Sequence, residues 1–166
     1  MIKNWHIVVT RSRFEKKCNT LLELNGIESF LPMRNVLVKY SDRNKWVSKP
    51  LFPGYIFVKF STNERFLALS IDGMARIVRF ENKDYIVNES VINGIKNRLS
   101  ENKELELIST SNLVLGAKIK IIDGPFAGTN GVLIKAKGKS KILVEIEAIN
   151  QGFLLELSEN SISKIL

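Results

Sequence analysis

The sequence has very few of the residues that build metal sites and disulfides. Its 166 residues include one cysteine, Cys18, and one histidine, His6. A single cysteine cannot form an internal disulfide, and one cysteine with one histidine cannot supply the four ligands of a structural zinc site. We therefore expect no metal, no disulfide and no cofactor.

Long apolar runs are missing as well. No run approaches the roughly 20 residues of a membrane span, and the N-terminal segment lacks the apolar core and small-residue cleavage site of a signal peptide. The sequence also offers no carboxylate pair, no phosphate-binding loop and no nucleophile near His6, so we expect no catalytic residues and no enzyme. A composition of 45% hydrophobic and 25% charged residues favours a globular, cytoplasmic protein without a membrane partner.

The positive charge is confined to one part of the chain. Residues 1–100 hold 17 Lys/Arg and 9 Asp/Glu, a net +8, whereas residues 101–166 hold 8 of each, a net zero. A basic part beside a neutral part suggests a nucleic-acid partner for the first, although a basic surface selected for solubility fits equally well. The candidate nucleic-acid-binding residues lie on the first helix and at a hairpin tip: Arg11, Arg13, Lys16, Lys17, Arg43 and Lys45.

The first part of the chain mixes strands and helices. A strand is predicted over 5–10, and a helix follows it from a capping box of Ser12 and Glu15 to Asn25-Gly26. Extended segments at 33–40 and 46–51 predict a hairpin, residues 55–60 a central strand, and Asn88 caps a last helix. Strand pairs interleaved with helices indicate an α+β fold, an α/β sandwich with a mostly antiparallel sheet, over residues 1–100.

The composition changes at about residue 100. Residues 101–112 are polar and acidic and are predicted to be a linker. Residues 113–166 contain five short apolar segments separated by glycine turns, which predicts a small five-stranded, SH3-like β barrel. The predicted strands are 117–122, 131–137, 141–146, 153–157 and 162–166.

The central strand carries the candidate docking surface of the first domain. Strand alternation sends Tyr55 and Phe57 to one face and Ile56, Val58 and Phe60 to the other. If the second set fills the core, Tyr55 and Phe57 form an apolar surface patch typical of a protein interface. A second buried layer beneath the helices is the alternative. Pro53 and Gly54 shape the entry to this strand.

The start of the barrel has a specific motif. Glycines punctuate two apolar strands in the segment LGAKIKIIDGPFAGTNGVLIK, where Pro125 sets a turn and Phe126 supplies an aromatic plug. This frame resembles the KOW motif. The residues that match it are Gly116, Gly124, Pro125, Phe126, Gly128 and Gly131, together with Ile119 and Ile121 between them. By themselves these residues could serve only to fold the barrel.

The first part of the chain helps to decide whether the KOW-like segment has a function beyond folding. The segments WHIVVT, FEKKC, FLP, PLFPGYIFVKF and GMARIVRF resemble, in this order, the N-terminal domain of the NusG family. The resemblance covers residues 5–166. The SDRNKW hairpin before the PLFPGYIFV segment is similar to specialised, RfaH-like paralogues of the UpxY type.

The resemblance carries functional expectations. It implies a monomeric transcription elongation and antitermination factor whose N-terminal domain binds the clamp region of RNA polymerase and reduces pausing. The KOW domain would recruit a ribosomal protein or Rho, and specialised members serve particular long operons, often for polysaccharide synthesis, and contact the non-template DNA strand. It assigns polymerase binding to Tyr55, Phe57, Pro53 and Gly54. A housekeeping NusG and a KOW-containing, ribosome-associated RNA-binding protein remain the alternatives.

Overall fold

The computed structural model describes residues 1–111, 116–136 and 138–165. The chain divides into two compact units, Met1–Ile86 and Val87–Leu166. The predicted barrel residues 113–115, Lys137 and Leu166 lie outside the described residues.

The first unit is built on an antiparallel sheet with two helices. Its elements are β1 (Asn4–Thr10), α1 (Glu15–Leu24), β2 (Glu28–Phe30), β3 (Met33–Lys39), β4 (Asn44–Pro50), β5 (Tyr55–Phe60), a 3-10 turn (Thr62–Glu64), α2 (Arg65–Ser70), β6 (Met74–Ile77), β7 (Arg79–Phe80), β8 (Lys83–Asp84) and β9 (Ile86–Val87). The main sheet has the order β2-β5-β1-β6, and β9 also pairs with β1. The pairs β3-β4 and β7-β8 form separate two-stranded sheets.

One buried cluster of the first unit, with members from the sheet and from α1, lies on one face of this sheet. In the antiparallel pair β1-β5, Val8 stands opposite Ile56 and His6 opposite Val58, so alternate residues share a face. The buried cluster on that face also contains Cys18 and Leu22 of α1. Ile56, Val58 and Phe60 belong to this cluster, so the condition on which the surface patch of Tyr55 and Phe57 was predicted is met.

The start of α1 differs from the predicted capping box. The residue before the helix is Phe14, which makes no side-chain capping bond, and the Glu15 carboxylate accepts a hydrogen bond from the Gly54 N–H instead. A capping box forms later in the chain, where Glu64 accepts hydrogen bonds from the Ser61 N–H and hydroxyl. Lys3 donates to the same carboxylate at 2.6 Å, and together these bonds lower the pKa of Glu64 to about 2.

The second unit contains a helix followed by a small β domain of six strands, the domain predicted from the sequence as a barrel. Its elements are α3 (Glu89–Ser100), β10 (Glu106–Ser109), β11 (Lys118–Ile121), β12 (Asn130–Ala136), β13 (Lys139–Ile146), β14 (Gln151–Leu155) and β15 (Ile162–Lys164). The six strands form one antiparallel sheet in the order β10-β14-β13-β12-β11-β15. The predicted class, α+β with mostly antiparallel sheets and a small C-terminal β domain, is confirmed.

Two details refine the organisation predicted from sequence. Glu106–Ser109 pairs with β14, so an edge strand lies within the segment predicted as a linker. The predicted cap of helix α3 is confirmed by the hydrogen bond from the Ser90 N–H to the Asn88 side chain at 3.0 Å. The contacts of this helix assign it to the second unit. The domain boundary at residue 100 therefore stays a prediction, because it depends on where this helix is assigned.

Candidate functional site

The first candidate surface is the turn that leads into β5. Pro53 is exposed, Tyr55 is half-buried, and Gly54 has φ +83°, a value that glycine adopts without strain. The Gly54 N–H donates to Glu15 at 2.8 Å, and its carbonyl accepts from the Thr10 N–H at 2.9 Å. The turn is therefore fixed from both α1 and β1, and it presents Pro53 and Tyr55 at a defined position.

Phe57 does not belong to an exposed surface. Its side chain is 1% exposed, with Phe52 packed edge-on at 5.9 Å between ring centroids and Phe30 stacked at 6.1 Å. The prediction of a surface patch made of Tyr55 and Phe57 is wrong for Phe57, and the alternative of a second buried layer is correct. The strand period defined two faces, but it could not show that aromatic side chains from other segments enclose this one.

The cations predicted on the first helix separate into two groups, and two of them, Arg11 and Arg13, precede α1, which begins at Glu15. Arg11 and Lys17 both pair with Asp72, Lys17 at 2.6 Å, and the Arg11 guanidinium lies 4.2 Å above the Phe14 ring. The hydrogen bond from Lys17, followed by the charges of both cations, lowers the pKa of Asp72. Arg13 is exposed, and Lys16 donates to the Ser48 carbonyl of β4 at 3.4 Å. This last bond connects the helix with the hairpin that carries the other predicted cations.

The β3-β4 hairpin extends in solvent beside this helix. The predicted tip residues Arg43 and Lys45 are exposed, and the turn is closed by a bond from the Tyr40 N–H to the Arg43 carbonyl at 2.8 Å. Our sequence reasoning missed two exposed apolar side chains on the arms, Trp46 at 68% and Leu37 at 42%. These two residues stand opposite each other in the register of the hairpin. Counting back along both strands from the turn residues could have predicted this pair.

The KOW-like segment forms a loop between β11 and β12. Gly124 and Gly128 have φ +84° and +90°, as the motif requires, and the Gly128 N–H bonds the Ile121 carbonyl at 2.8 Å. A Cβ on Gly116 would lie 2.3 Å from the Leu133 carbonyl oxygen, so this position accepts only glycine. A Cβ on Gly131 would meet the Ile142 side chain at 2.7 Å. The glycines therefore have a structural role in the barrel.

Phe126 fills the space between that barrel and helix α3. It is 3% exposed, its ring lies 5.2 Å from that of Phe153, and a Cβ on Gly94 of the helix would come within 2.1 Å of it. The Ser90 and Thr129 hydroxyls are 2.7 Å apart, so a hydrogen bond between the two side chains lies beside this apolar contact. Pro125 precedes Phe126 in the same turn and is exposed. The aromatic plug predicted from the sequence is thus packed against the helix within the second unit.

Other chemistries find little support in the part of the chain that the structure describes. Within it, no three His, Cys, Asp or Glu side chains come together as a metal site. Cys18 is buried, and its pKa is raised by burial and by the neighbouring Asp72 and Glu15 carboxylates, which disfavours the thiolate. Among the described helices, none has the length and apolar character to cross a membrane.

Comparisons with known proteins match this chain to one family. The family described as "Transcription termination factor nusG" matches residues 3–96. The chain is 26% identical to the transcription termination/antitermination protein NusG of Pseudomonas aeruginosa, over 99% of this chain and 100% of that protein. The protein of the same name from Chlamydia pneumoniae is 29% identical over 86% and 85% of the two chains.

Among solved structures, the one titled "Domain interaction in Thermotoga maritima NusG" aligns with 99% of this chain and 98% of that chain, at 23% identity and a TM-score of 0.49. The family match includes the β5 turn, the first helix and the hairpin, all of which lie between residues 3 and 96. Since this match spans more than half of the residues, the chain belongs to the NusG family.

Proposed function

We propose that this chain is a transcription elongation and antitermination factor that binds RNA polymerase through its first unit. The observation that carries the proposal is the NusG family match over residues 3–96, which takes in the unit from its first strand onward. Proteins of this family are transcription factors and not enzymes. The relatives from Pseudomonas and Chlamydia are named for both termination and antitermination, so the direction of the effect on transcription belongs to the proposal.

The polymerase-binding surface that we propose is the turn Pro53, Gly54 and Tyr55. Phe57, included in the surface from the sequence, is enclosed by other aromatic rings and acts by holding β5 in place. Tyr55 keeps a partly exposed ring with a polar tip, a combination that is enriched at protein interfaces. The bond from the Gly54 N–H to Glu15 fixes the backbone of the turn next to Tyr55 before a partner binds.

The basic charge of the first unit supports a nucleic-acid contact during transcription. This unit holds 15 Lys/Arg and 8 Asp/Glu, a net +7. Arg13, Arg43 and Lys45 are exposed, and Lys16 of α1 reaches from the helix to the hairpin. We propose that these cations contact phosphates of the non-template DNA strand, since phosphate contacts supply most of the affinity of such interfaces. Arg11 and Lys17 are already paired with Asp72 and contribute less.

The second unit would recruit a further partner, a ribosomal protein or Rho. Its KOW-like loop is occupied by packing against α3, but Ile122 at 54% and Ile165 at 43% are large apolar side chains that remain exposed among the described residues of the β domain. Exposed apolar side chains near one edge of a small barrel suit a protein partner. Residues 101–166 carry no net charge, which argues against a ribosome-associated RNA-binding protein.

The finer assignment is to a specialised member that serves a particular long operon, with a housekeeping factor as the alternative. The feature that supports it is the basic hairpin with the sequence SDRNKW. A gene at the head of a long operon in a genome with a second NusG gene would support the specialised role. A sole copy at an unrelated locus would support the housekeeping role.

The test combines binding and transcription with the full-length protein and RNA polymerase purified from the same cells. Tyr55→Ala should weaken polymerase binding more than tenfold, because an aromatic anchor at an interface contributes about 2 kcal/mol or more. The matched control is Leu24→Ala, since Leu24 is 77% exposed at the end of α1 and should leave affinity unchanged.

The same variants should be compared for passage through pause and termination sites. The parent and Leu24→Ala should shorten pauses, and Tyr55→Ala should not. Normal polymerase binding by Tyr55→Ala would show that the docking surface is misassigned. Recovery of ribosomal subunits without polymerase from cells would contradict the proposed function as a whole.

A further inference from the structure

We propose that the β3-β4 hairpin is a platform for single-stranded nucleic acid, with one base stacked on the indole of Trp46. The inference deepens the proposed function, on which it rests for the source of the strand. The inference goes beyond the proposed function by naming the surface, the stacking residue and the unpaired state of the ligand.

The register of the hairpin creates a face with an apolar centre. Trp46 stands opposite Leu37, and the neighbouring pairs on the same side are Asn35 with Ser48 and Lys39 with Asn44. We call these six residues the outer face. Its centre is uncovered, since Trp46 is 68% and Leu37 is 42% exposed. The valines of the opposite side, including Val36 and Val47, are half-buried, so the outer face is the more open one.

The charges around this face select a polyanion. The segment 33–50 holds five cations and one carboxylate, that of Asp42. The cations are Arg34, Lys39, Arg43, Lys45 and Lys49, all of them exposed. Within the described ranges none of the five pairs with a carboxylate, in contrast to Arg11 and Lys17, which share Asp72. A set of unneutralised cations favours an anionic partner over an average protein surface.

The exposed aromatic side chain distinguishes an unpaired strand from a duplex. In a duplex the base faces are stacked on one another, so the indole of Trp46 would find only edges and backbone. An unpaired base presents a free π face, and stacking on an aromatic side chain is the common way in which proteins hold single strands. The Asn35, Asn44 and Ser48 side chains of the outer face can donate to base edges or phosphates beside the stack. Lys16 of α1, which reaches the Ser48 carbonyl, extends the basic surface from the hairpin toward the helix.

The two tryptophans make binding directly observable. Trp5 is 2% exposed and Trp46 is 68% exposed, so a ligand that stacks on the surface should change the emission of Trp46 alone. The full-length chain is titrated with oligothymidylate and with oligouridylate of about 15 nucleotides, and with a duplex of the same length. The change in emission should appear with a single strand and be absent in a Trp46→Phe variant, while this variant still binds.

Four further variants test the parts of the platform. Trp46→Ala should weaken binding to the single strand about tenfold or more, since one stacked base contributes about 1–3 kcal/mol. Leu24→Ala is the control for loss of an exposed apolar side chain. Lys45→Gln should lower the slope of log affinity against log salt by about 0.7, the value for one phosphate contact with a single strand, and Arg11→Gln should change it less.

The outcomes separate this inference from its rivals. Binding of either oligonucleotide with quenching of Trp46 supports the platform, and the tighter of the two identifies DNA or RNA as the source of the strand. A Trp46→Ala variant that binds like the parent, or a duplex that binds as tightly as the single strands, overturns it. If Trp46→Ala loses affinity for polymerase alone and keeps that for oligonucleotides, the face is a protein interface and the inference is wrong. A chain that binds single strands but ignores polymerase would contradict the proposed function and leave this inference standing.

Discussion

Strand β5 and the β3-β4 hairpin place aromatic side chains in opposite environments. Phe57 in β5 is 1% exposed and lies among other aromatic rings, whereas Trp46 in β4 is 68% exposed. Both strands are antiparallel and contain β-branched residues, so their local sequences do not account for the difference. What differs is the number of neighbours: β5 is paired on both sides, by β2 and β1, and the hairpin strands pair only with each other in the described sheets.

This comparison relates burial to role. A large side chain in a strand with partners on both edges contributes to stability, because its apolar area is removed from water. The same side chain in an isolated hairpin leaves its apolar area exposed, where it is available to bind a partner. The same contrast holds for the cations, since Arg11 and Lys17 are paired with Asp72 and the cations of the hairpin are not.

The largest expected effect is on stability at Phe57. Phe57→Ala should lower the free energy of unfolding by about 3–5 kcal/mol, because it leaves a cavity between Phe30 and Phe52. Trp46→Ala should change it by less than about 0.5 kcal/mol, as an exposed substitution. Urea unfolding followed by the emission of the buried Trp5, in a Trp46→Phe background for the first variant, measures both. Equal losses in the two variants would show that the contrast in burial has no energetic meaning.

The next effect concerns the turn that presents Tyr55. Glu15→Ala removes the acceptor of the partly buried Gly54 N–H and should lower the free energy of unfolding by about 1–3 kcal/mol. Affinity for polymerase should fall with it, since the turn is less well fixed. Glu15→Gln keeps an acceptor oxygen and should restore most of both properties. Glu23→Ala on the same helix is the matched control and should leave both unchanged, since the exposed Glu23 carboxylate accepts a hydrogen bond from the Asn19 side chain of its own helix.

A smaller effect follows from the pKa of His6. The imidazole is 8% exposed and stacked on Phe60 at 4.3 Å, and burial lowers its pKa despite the opposing influence of Asp84 and the Tyr85 carbonyl. The unfolded chain binds a proton near pH 6.5 and the folded chain only at lower pH, so stability should fall as the pH decreases below about 6.5. Above that pH the contribution is constant.

Melting temperatures of the parent and of His6→Gln at pH 7.5 and 5.5 measure the contribution of His6. The parent should lose more stability than the variant between these two values. Glu64 also has a shifted pKa, but it titrates near 2 and therefore below this range. Identical pH dependence of the two proteins would exclude His6 as the cause.

The smallest effect tests the difference between paired and unpaired cations. Asp72→Asn removes the carboxylate shared by Arg11 and Lys17, which are both exposed, so little stability should be lost. The two cations would then resemble those of the hairpin. Affinity for oligothymidylate should rise a few-fold, with a steeper dependence on salt. Glu23→Gln, an exposed carboxylate on α1 outside the hairpin, is the matched loss of one negative charge. An equal gain in that variant would indicate general electrostatics without a role for the Asp72 pairs.

Much of the fold could be read from local patterns. The alternation in residues 4–10 and 55–60, the polar turn at 41–43 and the Asn88 cap each depend on residues within a few positions of one another. The glycines of the KOW-like segment likewise reflect the turn and the close strand approach that they permit. The basic character of the first part also follows directly from the sequence.

The tertiary structure decided which of these residues are available to a partner. The Glu15 carboxylate forms its bond with Gly54, 39 residues away, and Asp72 takes up Arg11 from 61 residues away. Phe57 is enclosed by rings from other segments, and Trp46 is left exposed because the described sheets place no third strand beside its hairpin. Backbone conformation and capping depend on neighbours along the chain, and the sequence determined them. Burial and ion pairing depend on distant segments that meet only after folding, so the faces of this protein that can bind were fixed by its tertiary structure.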